Sequence, residues 1–214
     1  SLKKRINIPK KQKVTTPSIE EYDEVRVLVY TLTNKLSTGK KVPDLMEIAI
    51  GGTKEEQINF IKENSGKDIP IEDVFEDNAM VDIRAITKGK GFQGPVKRFG
   101  ISLKAKKSEK GRRNPGSLGP WKGQTHIMWK VAHAGQTGFH QRTEYNKQII
   151  KVEGELDNLN PKGGINNYGL IKNKSIILKG SIPGPKKRLI VMTKPIRQNK
   201  SQDKEKITIE KIVI

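Results

Sequence analysis

At 214 residues the chain has room for one large domain or two small ones, yet only 33% of it is apolar and 5% aromatic, too little to pack along the whole length. Its 42 Lys and Arg against 23 Asp and Glu, a net +19, favour a polyanionic partner. No run nears the ~20 apolar residues of a membrane span, no signal-peptide pattern opens the chain, no basic amphipathic helix suits a membrane surface, and zero cysteines exclude disulfides and thiolate metal sites.

Residues 1–21 are basic and without periodicity, with Lys3, Lys4, Arg5, Lys10, Lys11 and Lys13 repelling one another, and read as an arm or linker. Glu24 to Leu32 alternates Val25, Val27 and Val29 with Arg26, Leu28 and Tyr30, which predicts a strand. A polar turn over Asn34 to Lys41 leads to a second strand, in which Met46, Ile48 and Ile50 alternate with Glu47 and Ala49. Gly51-Gly52 ends it. Thr53-Lys-Glu-Glu56 has the spacing of a capping box and predicts a helix carrying Ile58 and Ile61 on one face, stopped at Gly66. Met80 to Thr87 is a third strand, with Val81, Ile83 and Ala85 facing one way.

Lys88 to Lys147 breaks this pattern. These sixty residues hold 14 Lys or Arg, two acids (Glu109 and Glu144), half of the 20 glycines, both tryptophans and all three histidines. After them come short β-rich segments at Ile149 to Val152, Tyr168 to Ile171, Ser175 to Leu178 and Leu189 to Met192, separated by Gly163-Gly164 and Pro183-Gly184-Pro185 turns. Residues 197–206 read as a polar linker and Ile207 to Ile214 as a last strand. The expected fold is mainly β with minor α: a small β-barrel with one helix and a long irregular basic extension. Its segments are an arm over 1–21, a first part of the barrel over 22–87, the extension over 88–147, a second part of the barrel over 148–196, and a polar tail with a terminal strand over 197–214.

A sixty-residue irregular segment points to function, because its backbone needs water or an external partner for its hydrogen bonds. A polyanion supplies one: Lys and Arg neutralise phosphates, and Gly lets the backbone approach. Arg112 and Arg113 can also stack on bases, and Trp121, between Pro120 and Lys122, suits stacking on an unpaired base better than a core. The competing role for Trp121 is ordinary packing. His126, His133 and His140 recur every seventh residue, but with acids scarce and cysteine missing, contact with RNA fits them better than zinc. No carboxylate pair or activated nucleophile points to an enzyme. Gly89-Lys-Gly-Phe-Gln-Gly94 resembles a dinucleotide fingerprint only superficially, since Pro95, Lys97 and Arg98 follow it where a helix is required. The candidate RNA-binding residues are therefore Lys88, Lys90, Phe92, Lys97, Arg98, Lys104, Lys106, Lys107, Arg112, Arg113, Trp121, Lys122, His126, Trp129, His133, Gln136, His140, Arg142, Asn146 and Lys147, with no catalytic residue, metal or other cofactor.

Four stretches in order, Thr87-Lys-Gly-Lys-Gly-Phe-Gln-Gly94, Gly119-Pro-Trp121, Ala134-Gly-Gln-Thr-Gly-Phe-His-Gln-Arg-Thr-Glu-Tyr-Asn146 and Lys179-Gly-Ser-Ile-Pro-Gly184, resemble ribosomal protein L-three of the large subunit. Lys41-Val-Pro-Asp44 and Gly163-Gly-Ile-Asn-Asn-Tyr-Gly169 support the likeness, and the His140 to Asn146 run resembles the archaeal and eukaryotic branch. The resemblance covers about Glu24 to Arg197. It implies a translation-protein-type β-barrel and an extension that runs through ribosomal RNA towards the peptidyl-transferase centre, with Trp121 at its tip. It implies a structural role in the cytoplasmic ribosome, in early assembly and in support of that centre. The partners implied are large-subunit RNA and neighbouring ribosomal proteins, with no membrane and no small-molecule substrate. Members of this family carry a long upstream part, so the barrel is expected to be incomplete here. No histidine stands in Ser108-Glu-Lys-Gly-Arg-Arg113, so the histidine methylation of eukaryotic members is not carried over, and Lys122-Gly123 replaces the residue-Pro pair usual after the tip tryptophan. The competing function is a free-standing basic nucleic-acid-binding or RNA-chaperone-like protein.

Overall fold

The valine alternation near the start makes a strand. β1 (Arg26–Tyr30) pairs antiparallel with β2 (Leu45–Ala49), from Arg26 opposite Ala49 to Tyr30 opposite Leu45. The computed structural model describes residues 23–64, 66–120, 127–153, 159–199 and 207–210, so the expected arm over 1–21 lies outside the described residues. Those residues fall into two compact units. Unit 1 lies within Ser1–Asp82, Tyr145–Ser181 and Met192–Ile214, and unit 2 within Ile83–Glu144 and Ile182–Val191.

Helix α1 (Lys54–Asn64) forms where the capping box predicts it. The Thr53 N–H donates to Glu56 Oε2 at 2.9 Å, and the Glu56 N–H donates back to Thr53 Oγ1 at 3.4 Å, so two otherwise orphaned amides are satisfied. Its buried residue is Gln57, whose Nε2 donates to the carbonyls of Ile50 (2.8 Å) and Gly52 (3.2 Å) and ties the helix to the chain just after β2. Ile58 and Ile61 are half-buried beside it.

The principal sheet contains β3 (Met80–Ile86), β6 (Gln141–Glu153), β7 (Ser175–Leu178) and β8 (Val191–Thr193) in the order β7-β6-β3-β8. β6 and β7 are antiparallel, with Ile149 opposite Leu178 and a register shift between Ile149 and Lys151. Val81, Ile83 and Ile149 are fully buried, each contributing about 1.5–3 kcal/mol of hydrophobic stabilisation. The expected inward face of β3 is present, but Met80 and Asp82 on its other face are buried as well. A strand covered on both faces does not show full alternation.

Asp82 is the consequence. In unit 1 its Oδ1 accepts the Asn146 N–H at 2.9 Å and its Oδ2 the Ile196 N–H at 3.0 Å. Asn146 holds a left-handed backbone (φ 52°) that asparagine tolerates, and its own Oδ1 accepts the Asn199 N–H at 3.2 Å. A buried carboxyl thus replaces part of the regular strand ladder.

The mainly-β character with minor α is as expected, and several elements differ in detail. The described strands make open sheets, one of four strands and two of two. β6 starts at Gln141, eight residues before the strand expected at Ile149. Gln141 to Gln148 has Tyr145 as its single apolar side chain, so no hydropathy alternation announces it. The strand expected at Tyr168 to Ile171 is a loop with one isolated bridge, Ile165 to Gly169. Asn160 holds that loop by accepting the Ile171 N–H (2.8 Å) and donating to the Ile171 carbonyl (3.0 Å). The strand expected at Leu189 to Met192 is β8, one to two residues later. Residues 207–210 form no strand, and 211–214 lie outside the described residues.

Candidate nucleic-acid interface

Glycine and proline shape unit 2. β4 (Gly91–Gln93) and β5 (Gly135–Thr137) form an antiparallel ribbon, with Gly91 opposite Thr137, Phe92 opposite Gln136 and Gln93 opposite Gly135. Directly after β4 comes a second helix, α2 (Pro95–Phe99). Here the reading that no helix follows the glycine-rich stretch is corrected. Pro95 sets the helical φ at the first position, and Gly100, at φ 69°, takes the left-handed stop after a single turn. The dinucleotide reading still fails, because a three-residue antiparallel ribbon strand is not the parallel strand of a βαβ unit.

The base of the ribbon is latched. The Thr87 N–H donates to the His140 carbonyl at 3.0 Å, and the His140 N–H donates to Thr87 Oγ1 at 3.2 Å. Gly138, at φ 71°, passes so close to the Lys88 carbonyl oxygen that a Cβ there would lie 2.0 Å from it. No other residue type fits that position without moving the backbone. Arg188 braces the same base: its Nη1 lies 3.3 Å from the Ile86 carbonyl and 3.4 Å from that of Thr87, and its guanidinium sits 5.6 Å from the Phe139 ring centre.

Further along, the Arg98 Nη1 donates to the His133 carbonyl at 2.9 Å, while its guanidinium lies 5.0 Å from the Phe99 ring centre. The Lys104 N–H donates to the Arg112 carbonyl (3.1 Å), and Arg112 Nε donates back to the Lys104 carbonyl (2.9 Å). This closes a turn that carries exposed Lys106, Lys107 and Lys110, with exposed Arg113 just beyond it. The Met128 N–H donates to the Leu118 carbonyl at 3.2 Å.

Of the sequence-predicted residues, Trp121, Lys122 and His126 lie outside the described residues. Lys88, Lys90, Phe92, Lys97, Lys104, Lys106, Lys107, Arg112, Arg113, Trp129, Gln136 and Arg142 are all exposed in unit 2, where Arg98, His133 and His140 are half-buried. Asn146 and Lys147 belong to unit 1 instead, and Asn146 is engaged with Asp82 and Asn199. Sequence reasoning missed Lys186, Lys187 and Arg188, which unit 2 acquires from the segment Ile182–Val191. Three cations directly after Pro183-Gly184-Pro185 were the available signal. Among the described residues no three His, Cys, Asp or Glu side chains converge as metal ligands, and no helix is long and apolar enough to cross a membrane.

The segments of unit 2 hold 17 Lys or Arg against Glu109 and Glu144, a balance of +15. Two carboxylates cannot neutralise that charge. Exposed rings stand among the cations: Trp129 is 93% exposed and Phe92 77%. Such a surface can neutralise phosphates with counterion release and offer rings to bases.

Fold and surface together define a basic, mainly-β protein with a cationic, ring-bearing unit. The chain belongs to the family described as Ribosomal protein L3, whose profile matches residues 4–213. That family consists of structural ribosomal proteins rather than enzymes. Among similar proteins, the large ribosomal subunit protein uL3 of Archaeoglobus fulgidus is 46% identical over 212 residues, which is 94% of this chain and 62% of the relative. The protein of the same name from Methanocaldococcus jannaschii is 46% identical over 204 residues, 92% of this chain and 61% of its own length. That from Methanothermobacter thermautotrophicus is 48% identical over 192 residues, 87% of this chain and 56% of its own length. The chain thus spans roughly three-fifths of the length of these relatives.

Proposed function

We propose that this chain is a structural constituent of the large ribosomal subunit, binds large-subunit ribosomal RNA chiefly through unit 2, and acts in the cytoplasmic ribosome beside neighbouring ribosomal proteins. The observation that carries the reading is the +15 balance of unit 2, gathered on a glycine-shaped backbone with exposed rings. Membership in a ribosomal-protein family supports the ribosome over a free-standing nucleic-acid-binding or RNA-chaperone-like role. In this reading Lys88–Lys147 penetrates the RNA towards the peptidyl-transferase centre with Trp121 at its tip, supports early assembly, and performs no chemistry itself.

Sucrose-gradient fractionation tests it. The protein should remain with large subunits after a high-salt wash, and recovery mainly in the soluble fraction would refute the ribosomal role. Trp121→Ala should leave that association intact and alter peptidyl-transfer or tRNA-binding assays. Normal subunits with unchanged elongation would remove Trp121 from the tip.

A further inference from the structure

Three phenylalanines of unit 2 are well exposed, and they are not equivalent. The Phe99 and Phe139 rings each already have an arginine of the same unit against them, Arg98 and Arg188. Among the described residues no cation sits over Phe92, which is 77% exposed in the middle strand position of β4. Its surroundings keep it open. The adjacent Gly91, and Gly94, Gly135 and Gly138 nearby on the ribbon, carry no side chain. Gln136, directly opposite, has its amide nitrogen engaged with the carbonyls of Thr137 and Gly138, both at 3.2 Å.

A bare ring on a two-stranded ribbon adds no core, so packing among the described residues does not account for it. The charge around it selects the occupant. Exposed Lys88 and Lys90 lie four and two residues before Phe92, and at ~3.3 Å of strand per residue the nearer is within one nucleotide's span. Stacking needs an accessible π-face, and duplex RNA hides its base faces inside the helix. We propose that Phe92 is a stacking platform for an unpaired RNA base, so that the β4–β5 ribbon distinguishes looped or bulged RNA from duplex. The proposal rests on the RNA-binding reading above and deepens it.

The test uses the whole chain and two RNA oligonucleotides of equal length, one a hairpin with an unpaired loop and one a blunt duplex. The wild type should prefer the hairpin. Phe92→Ala should lose about 5- to 140-fold in hairpin affinity, the worth of one stacked base, with little change on the duplex and an unchanged salt slope. Phe92→Trp should restore the preference. If the wild type binds both RNAs and Phe92→Ala weakens neither, or weakens both equally, the stacking role is overturned while RNA binding stands. Binding of neither RNA by the wild type would overturn both readings.

Discussion

Units 1 and 2 hold their cations in place by different means. In unit 1 acids are plentiful and cations pair with them: Lys35 with Asp68 at 2.8 Å, Lys174 with Glu72 at 2.5 Å, Arg26 with Glu24 at 2.9 Å, and Lys40 with Asp44. Unit 2 has 17 cations and two acids, and three of its arginines are oriented instead by carbonyls, two of them also by rings. Arg98 donates to His133, Arg112 to Lys104 and Arg188 to Ile86 and Thr87. A carbonyl positions a guanidinium without neutralising it. Unit 1 therefore uses charge for its own cohesion, while unit 2 keeps its charge available for something else.

The largest expected effect lies in unit 1. Asp82 is buried and accepts two backbone N–H groups, from half-buried Asn146 and from exposed Ile196, so Asp82→Ala takes the acceptor from two part-buried donors. At about 1–3 kcal/mol for an orphaned buried group, and about 1 kcal/mol where water reaches the donor, the variant should lose about 2–4 kcal/mol in urea unfolding. Asp82→Asn, which keeps one acceptor oxygen, should lose roughly half as much. RNA affinity measured well below the unfolding midpoint should change little. A loss under about 0.5 kcal/mol for the alanine variant would show that the surrounding backbone finds other partners.

A middle-sized effect separates two neighbouring arginines of unit 2. Arg113 is exposed and makes no bond among the described residues, so Arg113→Ala should reduce the salt slope of RNA binding by roughly 0.7–0.9 and leave the fold unaltered. Arg112 also closes the turn onto Lys104, so Arg112→Ala should lower the slope and in addition raise amide exchange at Lys104, whose N–H donates to the Arg112 carbonyl. Identical behaviour of the two variants would mean that the turn is held by its backbone alone.

The legible parts of the chain were those where one local signal decides. Thr53 and Glu56 specify a capping box whatever surrounds them, and Ser175 to Leu178 is a strand at its expected bounds. Charge concentration likewise needs no folding to be counted. What stayed hidden depends on the whole fold. Gln141 to Gln148 becomes strand through pairing rather than alternation. Asp82 is buried by residues distant in sequence, and Arg188 joins unit 2 from more than forty residues beyond Glu144. Asn146 read as a contact residue because it stands in a basic run, yet its left-handed backbone and its bonds to Asp82 and Asn199 give it structural work.

The smallest effect tests whether the ion pairs of unit 1 matter at all. The hydrogen bond from Lys174, helped by a backbone hydrogen bond, holds the Glu72 carboxyl below its ordinary value of 4.5, and that side chain is exposed. A carboxyl depressed in the folded state adds stability above its unfolded value, and that increment disappears as pH falls below 4.5 through the folded value. Glu72→Gln should therefore show a slightly lower thermal midpoint than the wild type at pH 7, and the gap should shrink as the pH is taken below 4.5. Added salt should also close it at pH 7, since exposed pairs are screened. Glu24→Gln, which removes the nearer of the two carboxylates paired with Arg26, should follow the same course for the same reason. A gap that does not shrink in acid, or that salt leaves unchanged, would mean that Glu72 stabilises unit 1 through packing rather than charge.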